Sequence, residues 1–280
     1  MEKTLYISDL DGTLLNKNAE LSEYTKSSLN RMIASGMQLS VATARTAATA
    51  LRILDGVNWN TSLVLLNGVL IYDMKHTQYE RIHYLDAGTV TEILTILKRL
   101  ETTGLMYQFV DNAQATYYEP TVNEPVRSFI EERKTRYNKV FLQTDTLFAV
   151  PPDKTIYFTL LDTYDEIKPV YDALTDVPGS SSIMYKDNYS ADLWYLEVFS
   201  PKASKKYAVS YLRETYGFDR IVGFGDNLND LPMFAACDIR VAVENAEPEV
   251  KAAADYVCGT NENDGVVKWL EEHRGTVLLC

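Results

Sequence analysis

The chain has 280 residues, of which 46% are hydrophobic and 24% charged, a balance typical of a globular protein with a sizeable core. Acidic residues outnumber basic ones by 39 to 27, and the formal charge of -12 argues against binding nucleic acid or anionic membranes. We expect neither a signal peptide nor a membrane span. The three cysteines form no CxxC pair, so we predict a cytoplasmic protein without disulfides or structural zinc. The sequence predicts no oligomeric state.

The predicted elements alternate between strand and helix from the first residues onward. Apolar strands and amphipathic helices follow one another at 5–8, 21–35, 37–42, 47–54 and 63–66. The same alternation returns near the end of the chain, with strands at 195–199, 221–224 and 239–243 and helices at 202–216, near 231 and at 266–270. Such alternation predicts an α/β fold with a doubly wound parallel sheet.

The residue pattern changes in the middle of the chain. Between residues 85 and 192 the sequence carries short tyrosine-rich strands, helices and turn-rich Pro and Gly segments. We interpret this stretch as an inserted α+β domain. The core is then predicted to comprise residues 1–84 and 193–280, and an Asn67-Gly68 turn precedes a hairpin that leads away from the sheet. Asn67 ends the third strand, and its position fits either an approach to a site at the sheet edge or the turn alone.

Two acidic loops follow apolar strands. Asp9-Leu10-Asp11-Gly12-Thr13 comes after the first strand, and its two carboxylates can face one pocket because residues two apart in an extended segment point the same way. The alternative for this loop alone is a simple Asp-Gly turn. A second loop, residues 225–230 with Asp226 and Asp230, follows another strand and therefore reaches the same sheet edge. Paired carboxylates there favour a divalent cation or a nucleophile beside a proton donor.

The second loop imitates two other motifs and satisfies neither. Leu228 stands where a dinucleotide fingerprint needs its third glycine and where a calcium loop needs Asp or Asn. A phosphate-binding P-loop is excluded as well, because the sequence has no GxxxxGK stretch.

Groups that could hold a phosphate are also present. Thr43 ends a strand close to a helix start and could bind phosphate, cap the helix, or do both. Arg45 could serve substrate or solvent. Lys202, Lys205 and Lys206 cluster at a helix start, where the macrodipole disfavours cations, and we select Lys205 as the inward-pointing member.

These segments together resemble the haloacid dehalogenase superfamily, and within it the Cof-type (subfamily IIB) phosphatases. Asp9-Leu-Asp11-Gly-Thr-Leu-Leu is similar to the first family motif, Thr43 to the second, Ala203-Ser204-Lys205 to the third, and Gly225-Asp226-Asn-Leu-Asn229-Asp230 to the fourth. The resemblance implies a Rossmann-like core with a C2-type cap as the insertion at 85–192, and this cap would set substrate specificity. Ala44 departs from the pattern, since relatives usually carry Gly there, and with Arg45 it is a possible substrate contact.

The resemblance also implies a chemistry. Asp9 would attack phosphorus to form an aspartyl-phosphate, and Asp11 would act as general acid and base. Mg²⁺ would be held by Asp9, Asp226 and the Asp11 main-chain carbonyl, with Asp230 a further ligand or the residue that orients Lys205. The expected phosphate-binding residues are Thr43, Lys205 and, in place of a simple helix cap, Asn229.

We therefore predict a Mg²⁺-dependent phosphomonoester hydrolase that acts on a small cytosolic phosphate such as a sugar phosphate, without nucleic-acid or membrane partners. Two alternatives stay open. A sugar phosphomutase would use the same aspartyl-phosphate but would retain a bisphosphate intermediate. A non-enzymatic phosphate-binding or regulatory protein would keep the pocket without turnover.

Overall fold

The computed structural model describes residues 2–190 and 192–273 of the chain. Cys280 and the last residues of the predicted core segment lie outside the described residues. The helices, numbered in chain order, are α1 Glu23–Ala34, α2 Ala47–Ile53, α3 Ala87–Arg99, α4 Glu124–Tyr137, α5 Tyr164–Leu174, α6 Lys205–Tyr216, α7 Leu231–Phe234, α8 Pro248–Ala253 and α9 Gly265–His273. Within the described ranges, none of these helices is long and apolar enough to cross a membrane.

The strands come from both ends of the chain and from its middle. In chain order they are β1 Thr4–Ser8, β2 Gln38–Val41, β3 Leu63–Leu65, β4 Leu70–Asp73, β5 Gln78–Ile82, β6 Leu105–Val110, β7 Ala113–Tyr118, β8 Leu142–Gln143, β9 Thr155–Asp162, β10 Ser181–Lys186, β11 Trp194–Phe199, β12 Arg220–Gly225, β13 Ile239–Val243 and β14 Tyr256–Cys258. Mixed α/β architecture is therefore confirmed.

The described chain divides into two compact units. The first contains the residues up to Arg81 and those from Ser204 onward, and the second is Ile82–Ala203. The predicted boundary after residue 192 thus moves to residue 203. The reason is β11, which we had expected in the core but which pairs antiparallel with β9 and β10 in the sheet of the second unit.

A five-stranded parallel sheet forms the centre of the first unit. Its order is β14-β13-β12-β1-β2, and every neighbouring pair is parallel. Leu5, Ile7 and Ile221 on the central strands are fully buried, as expected for a sheet covered by helices on both faces. The predicted doubly wound core is confirmed, and it places the carboxyl ends of β12, β1 and β2 side by side.

The third predicted strand has a different place. β3 pairs antiparallel with β4 in a separate three-stranded sheet, β3-β4-β5. A single parallel bridge, between Ala42 and Val64, connects β3 to the end of β2. The residues that follow β3 are therefore held beside the residues that follow β2.

The second unit is built on a six-stranded sheet of order β10-β11-β9-β6-β7-β8. One face of this sheet, represented by Met106, Phe158 and Leu196, packs against apolar residues of α3 and α5 in a single buried cluster. The helices α3 and α5 contribute Ile93 and Val170 to the cluster. This unit has its own core, as the expected α+β insertion requires.

We predict that Ser22→Ala lowers the free energy of unfolding by about 1 kcal/mol, because Ser22 caps α1. Its Oγ accepts a hydrogen bond from the Thr25 amide at 2.9 Å and donates one to Asp264 Oδ1 at 2.5 Å. Ser27→Ala on the exposed face of the same helix removes only a bond to the Tyr24 carbonyl and serves as the control. Urea unfolding checks the prediction, and equal losses in the two variants would contradict it.

Candidate active site

The first acidic loop begins where β1 ends, in the middle of the parallel sheet. The Asp9 amide donates to the Phe224 carbonyl of β12 at 2.9 Å, and the Ala42 amide beyond β2 donates to the Ser8 carbonyl at 2.9 Å. The chain then turns tightly through Gly12, whose φ of 80° suits a residue without Cβ. Asp9 is therefore fixed between the ends of two neighbouring strands, with 5% of its surface exposed.

A buried lysine links this loop to the second acidic loop. Lys205 Nζ lies 2.6 Å from Asp9 Oδ1 and 2.6 Å from Asp230 Oδ1, and the lysine is 1% exposed. Lys202 and Lys206 are exposed, so Lys205 is the inward-pointing lysine of the three. It is the first residue of α6, where Ser204 caps the helix by accepting from the Tyr207 amide.

The second acidic loop is shaped by the carboxylate of Asp230. While its Oδ1 binds Lys205, its Oδ2 accepts the amides of Asp226 and Asn227 at 2.9 and 3.1 Å. A Cβ at Gly225 would lie 2.8 Å from this Oδ2, so glycine is needed for the carboxylate to reach both amides. Both Asp230 oxygens are thus engaged by protein donors.

Asp226 completes an acidic cluster with Asp9 and Asp230. One carboxylate oxygen from each residue lies within 4.8 Å of the other two, and all three residues are buried. Thr13 Oγ1 donates to Asp226 Oδ1 at 2.7 Å. The sequence did not predict this contact, because the motif pattern gave Thr13 no chemical role. Three carboxylates against the single Lys205 ammonium leave an excess of negative charge, and hard oxygen donors with such an excess fit a divalent cation.

The electrostatics of the cluster reflect this excess. Burial, and next the neighbouring Asp230 carboxylate, raise the pKa of Asp9 to about 8. Burial, followed by Asp230 and Asp9, raises the pKa of Asp226 well above its ordinary range. Burial opposes the charge of Lys205, but the Asp230 and Asp9 carboxylates outweigh it and raise the lysine pKa above its ordinary value. One ammonium therefore stays charged without compensating all the carboxylates around it.

Asp11 lies outside this cluster of carboxylates. Its side chain makes a two-pronged ion pair with Arg45, with Nε at 2.7 Å from Oδ2 and a terminal nitrogen at 2.6 Å from Oδ1. The Arg45 side chain is 10% exposed, so this residue contacts Asp11 and is not a solvated surface arginine. The pairing was not expected, because the two residues are 34 positions apart in sequence.

Thr43 and Asn229 are both buried next to the short loop that follows β3. The Thr43 amide donates to the Val64 carbonyl at 2.9 Å, and its Oγ1 accepts from the Arg45 amide at 3.1 Å. Asn229 Nδ2 donates to Asn67 Oδ1 at 3.4 Å. Ala44 is partly buried between Thr43 and Arg45.

A supporting residue on another loop was also missed. Asn245, after β13, donates from Nδ2 to the Gly12 carbonyl at 2.8 Å and accepts the Asn261 amide at 3.0 Å. Asn261 in turn donates to the Leu15 carbonyl at 2.8 Å. Two amide side chains therefore hold one carbonyl within the turn and one just after it, a role for which an isolated Asn in sequence gives no signal.

Comparison with known proteins identifies the family. The profile of haloacid dehalogenase-like hydrolases matches residues 6–270. Pyridoxal phosphate phosphatase YbhA of Escherichia coli is 26% identical over 281 residues, which cover 95% of this chain and 96% of that protein. The chloroplastic endoribonuclease YBEY of Arabidopsis thaliana is 26% identical over 270 residues, and the match spans 92% of this chain but only 44% of that protein.

Among solved structures, the subclass IIB sugar phosphatase BT4131 has the same fold, with a TM-score of 0.75 and 22% identity. The similarity covers 96% of this chain and 98% of that one. Because the family profile extends over almost the whole described chain, the match includes both acidic loops, Lys205 and the inserted unit. The chain therefore belongs to the haloacid dehalogenase-like hydrolase family, among its Cof-type phosphatases.

Proposed function

We propose that the protein is a Mg²⁺-dependent phosphomonoester hydrolase that works through an aspartyl-phosphate on Asp9. The observation that carries the proposal is the buried Lys205, bound to Asp9 and Asp230 beside Asp226 at the carboxyl edge of the sheet. A nucleophilic carboxylate needs charge compensation when a phosphoryl group approaches it, and this arrangement supplies a fixed cation next to the attacking oxygen.

Each step of the proposed phosphoryl transfer has a residue of this chain to carry it out. An Asp9 oxygen forms a bond to phosphorus while the ester P–O bond breaks, and Asp11 gives its proton to the leaving alcohol oxygen. Water then attacks the same phosphorus, Asp11 takes the water's proton, and inorganic phosphate leaves as the Asp9 carboxylate is restored. The buried Thr43 and Asn229 would donate hydrogen bonds to the phosphoryl oxygens, and Lys205 would neutralise their charge.

Asp9 and Asp226, with the Asp11 main-chain carbonyl, are the proposed metal ligands. We assign Asp230 to orienting Lys205, because both of its oxygens already accept hydrogen bonds from protein donors. When bound, Mg²⁺ would neutralise the approaching phosphoryl group and the Asp9 carboxylate together. Arg45, paired with Asp11, is proposed to orient this side chain between turnovers, and the pair would open when Asp11 carries the proton for the leaving alcohol.

A small phosphorylated metabolite is the proposed substrate, with sugar phosphates as the first class to test. One relative is named for pyridoxal phosphate and one structural neighbour for sugar phosphates, and both are small molecules. We also propose a cytoplasmic location, which the free thiols of Cys237 and Cys258 support.

Asp9→Asn should reduce the Mg²⁺-dependent release of p-nitrophenol from p-nitrophenyl phosphate by about a thousandfold or more, because an amide cannot attack phosphorus. Asp55→Asn, at an exposed position after α2, is the matched control and should retain activity. Acid-quenched wild type should carry phosphate on Asp9, detectable by mass spectrometry.

Some results would contradict the proposed nucleophile or the proposed function. Turnover that survives in Asp9→Asn would contradict the proposed nucleophile. Wild-type activity that depends on added sugar bisphosphate would instead indicate the phosphomutase, and phosphate binding without any turnover would indicate the binding protein.

Mg²⁺ binding at pH 7 should release protons, because the Asp9 pKa of about 8 keeps this carboxyl largely protonated in the metal-free protein. The apparent Mg²⁺ affinity should therefore rise with pH and level off above about 8. Calorimetry in two buffers with different ionisation enthalpies measures the release. Asp9→Asn should lower it, and binding without proton release in wild type would contradict the prediction.

The same shift has a consequence for stability without metal. The folded-state pKa of Asp9, about 8, exceeds its ordinary value of 3.8, so the folded protein binds more protons than the unfolded chain between these limits. The free energy of unfolding should then fall as pH rises from about 4 to 8, and saturating Mg²⁺ should flatten this dependence. A metal-free stability that rises across this range would contradict the assignment.

A further inference from the structure

The loop between β3 and β4 has an unusual backbone. Leu66, Asn67 and Gly68 are consecutive residues with φ values of 47°, 51° and 99°. Positive φ is unfavourable for residues that carry a Cβ, with Asn the more tolerant of the two here. All three residues are buried, so the conformation must be held by contacts with the surrounding structure.

The backbone of this loop holds the segment that follows β2. The Leu66 amide donates to the Arg45 carbonyl at 3.1 Å, and the Asn67 amide donates to the Thr43 carbonyl at 3.0 Å. These two bonds require the amides of adjacent residues to point toward the same neighbouring segment. The left-handed conformation thus fixes the position of Thr43 and of the arginine that pairs with Asp11.

The Asn67 side chain and the Gly68 backbone contact the segments that carry the other two phosphate-binding candidates, Asn229 and Lys205. Asn67 Oδ1 accepts from Asn229 Nδ2 at 3.4 Å, inside the buried region. A Cβ added to Gly68 would lie 2.3 Å from the Ser204 carbonyl oxygen, so the two backbones are in direct contact. Ser204 is the residue that caps α6 and immediately precedes Lys205.

We infer that Leu66-Asn67-Gly68 is a positioning loop that sets Thr43, Lys205 and Asn229 in register for one phosphoryl group. The three groups come from three separate chain segments, and this loop contacts each of those segments. Asn67 orients the amide of Asn229, and Gly68 sets the distance to the start of α6. This inference rests on the proposed function, since it concerns the phosphate site of that reaction.

Asn67→Gly is the informative variant, because glycine relieves the backbone strain while it removes the side chain that contacts Asn229. Thermal stability should be unchanged or higher, whereas the dissociation constant for inorganic phosphate, measured by calorimetry with Mg²⁺ present, should rise about fivefold, the effect of one ordinary hydrogen bond. If Asn67 had only a structural role, thermal stability and phosphate affinity would instead change together.

Gly68→Ala tests the contact with Ser204, and the chain offers a matched control. Gly36 has a φ of 95°, close to the 99° of Gly68, but a Cβ there would have nothing within 4 Å. Both alanine variants therefore place a Cβ on a residue with positive φ, but only the Gly68 variant brings that Cβ into collision with the Ser204 carbonyl. Gly68→Ala should weaken phosphate binding by about tenfold and lower kcat as Lys205 shifts, whereas Gly36→Ala should lose stability and keep wild-type phosphate affinity.

The outcomes distinguish the two proposals. Wild-type phosphate affinity in both Asn67→Gly and folded Gly68→Ala would overturn the positioning loop and leave the hydrolase intact. Should Gly68→Ala fail to fold, Asn67→Gly decides by itself. Wild type that neither binds phosphate nor turns over ester would overturn the proposed function, and the positioning loop with it.

Discussion

The buried ion pairs of Lys205 are the interaction on which the rest of the site depends. An ammonium 1% exposed to solvent is tolerable only when polar partners surround it, and the carboxyl groups of Asp9 and Asp230 are those partners at 2.6 Å each. Through them, the start of α6 is tied both to the end of β1 and to the loop after β12. Asp230 extends the connection, because its second oxygen holds the amides of Asp226 and Asn227. Truncating Lys205 or Asp230 would leave buried polar groups without their partners, so these two residues also constrain the fold around the site.

The order of the parallel strands explains why these groups meet at all. With β1 between β12 and β2, the loops after these three strands emerge at one edge, and Asp9 lies between the other two loops. β3 joins only through the bridge between Ala42 and Val64, which brings its following loop alongside Thr43. The active-site loops are consequently supported by strands whose own side chains are buried and whose register is fixed by parallel pairing. The sheet thereby fixes the positions from which the site loops begin.

The sequence predicted the parts of this arrangement that depend on local pattern. Apolar strands followed by acidic residues placed Asp9 and Asp226 at one edge. The unfavourable position of cations at a helix start pointed to an inward lysine, and Lys205, chosen from the three, is the buried one. It could not predict contacts between distant segments, such as Thr13 with Asp226 or Arg45 with Asp11, because no spacing rule relates them. The prediction that β11 belongs to the core sheet was wrong for a related reason. An apolar strand has the same sequence pattern whether it pairs parallel in one sheet or antiparallel in another. The left-handed Leu66 had no sequence signal, since leucine does not favour that conformation.

The long separation between Asp9 and Lys205 also matters for how the protein is made. These residues are 196 positions apart, and β1 finds its partner β12 only after the whole inserted unit has been synthesised. During translation Asp9 leaves the ribosome early, yet its partner Lys205 is absent until more than two thirds of the chain has been synthesised. Contacts of such range form late and slowly, while the inserted unit, with its own core, can fold in the meantime. A nascent or truncated chain that ends before residue 205 therefore carries Asp9 without Lys205, and the proposed hydrolytic activity would require synthesis to have passed β12 and Asp230.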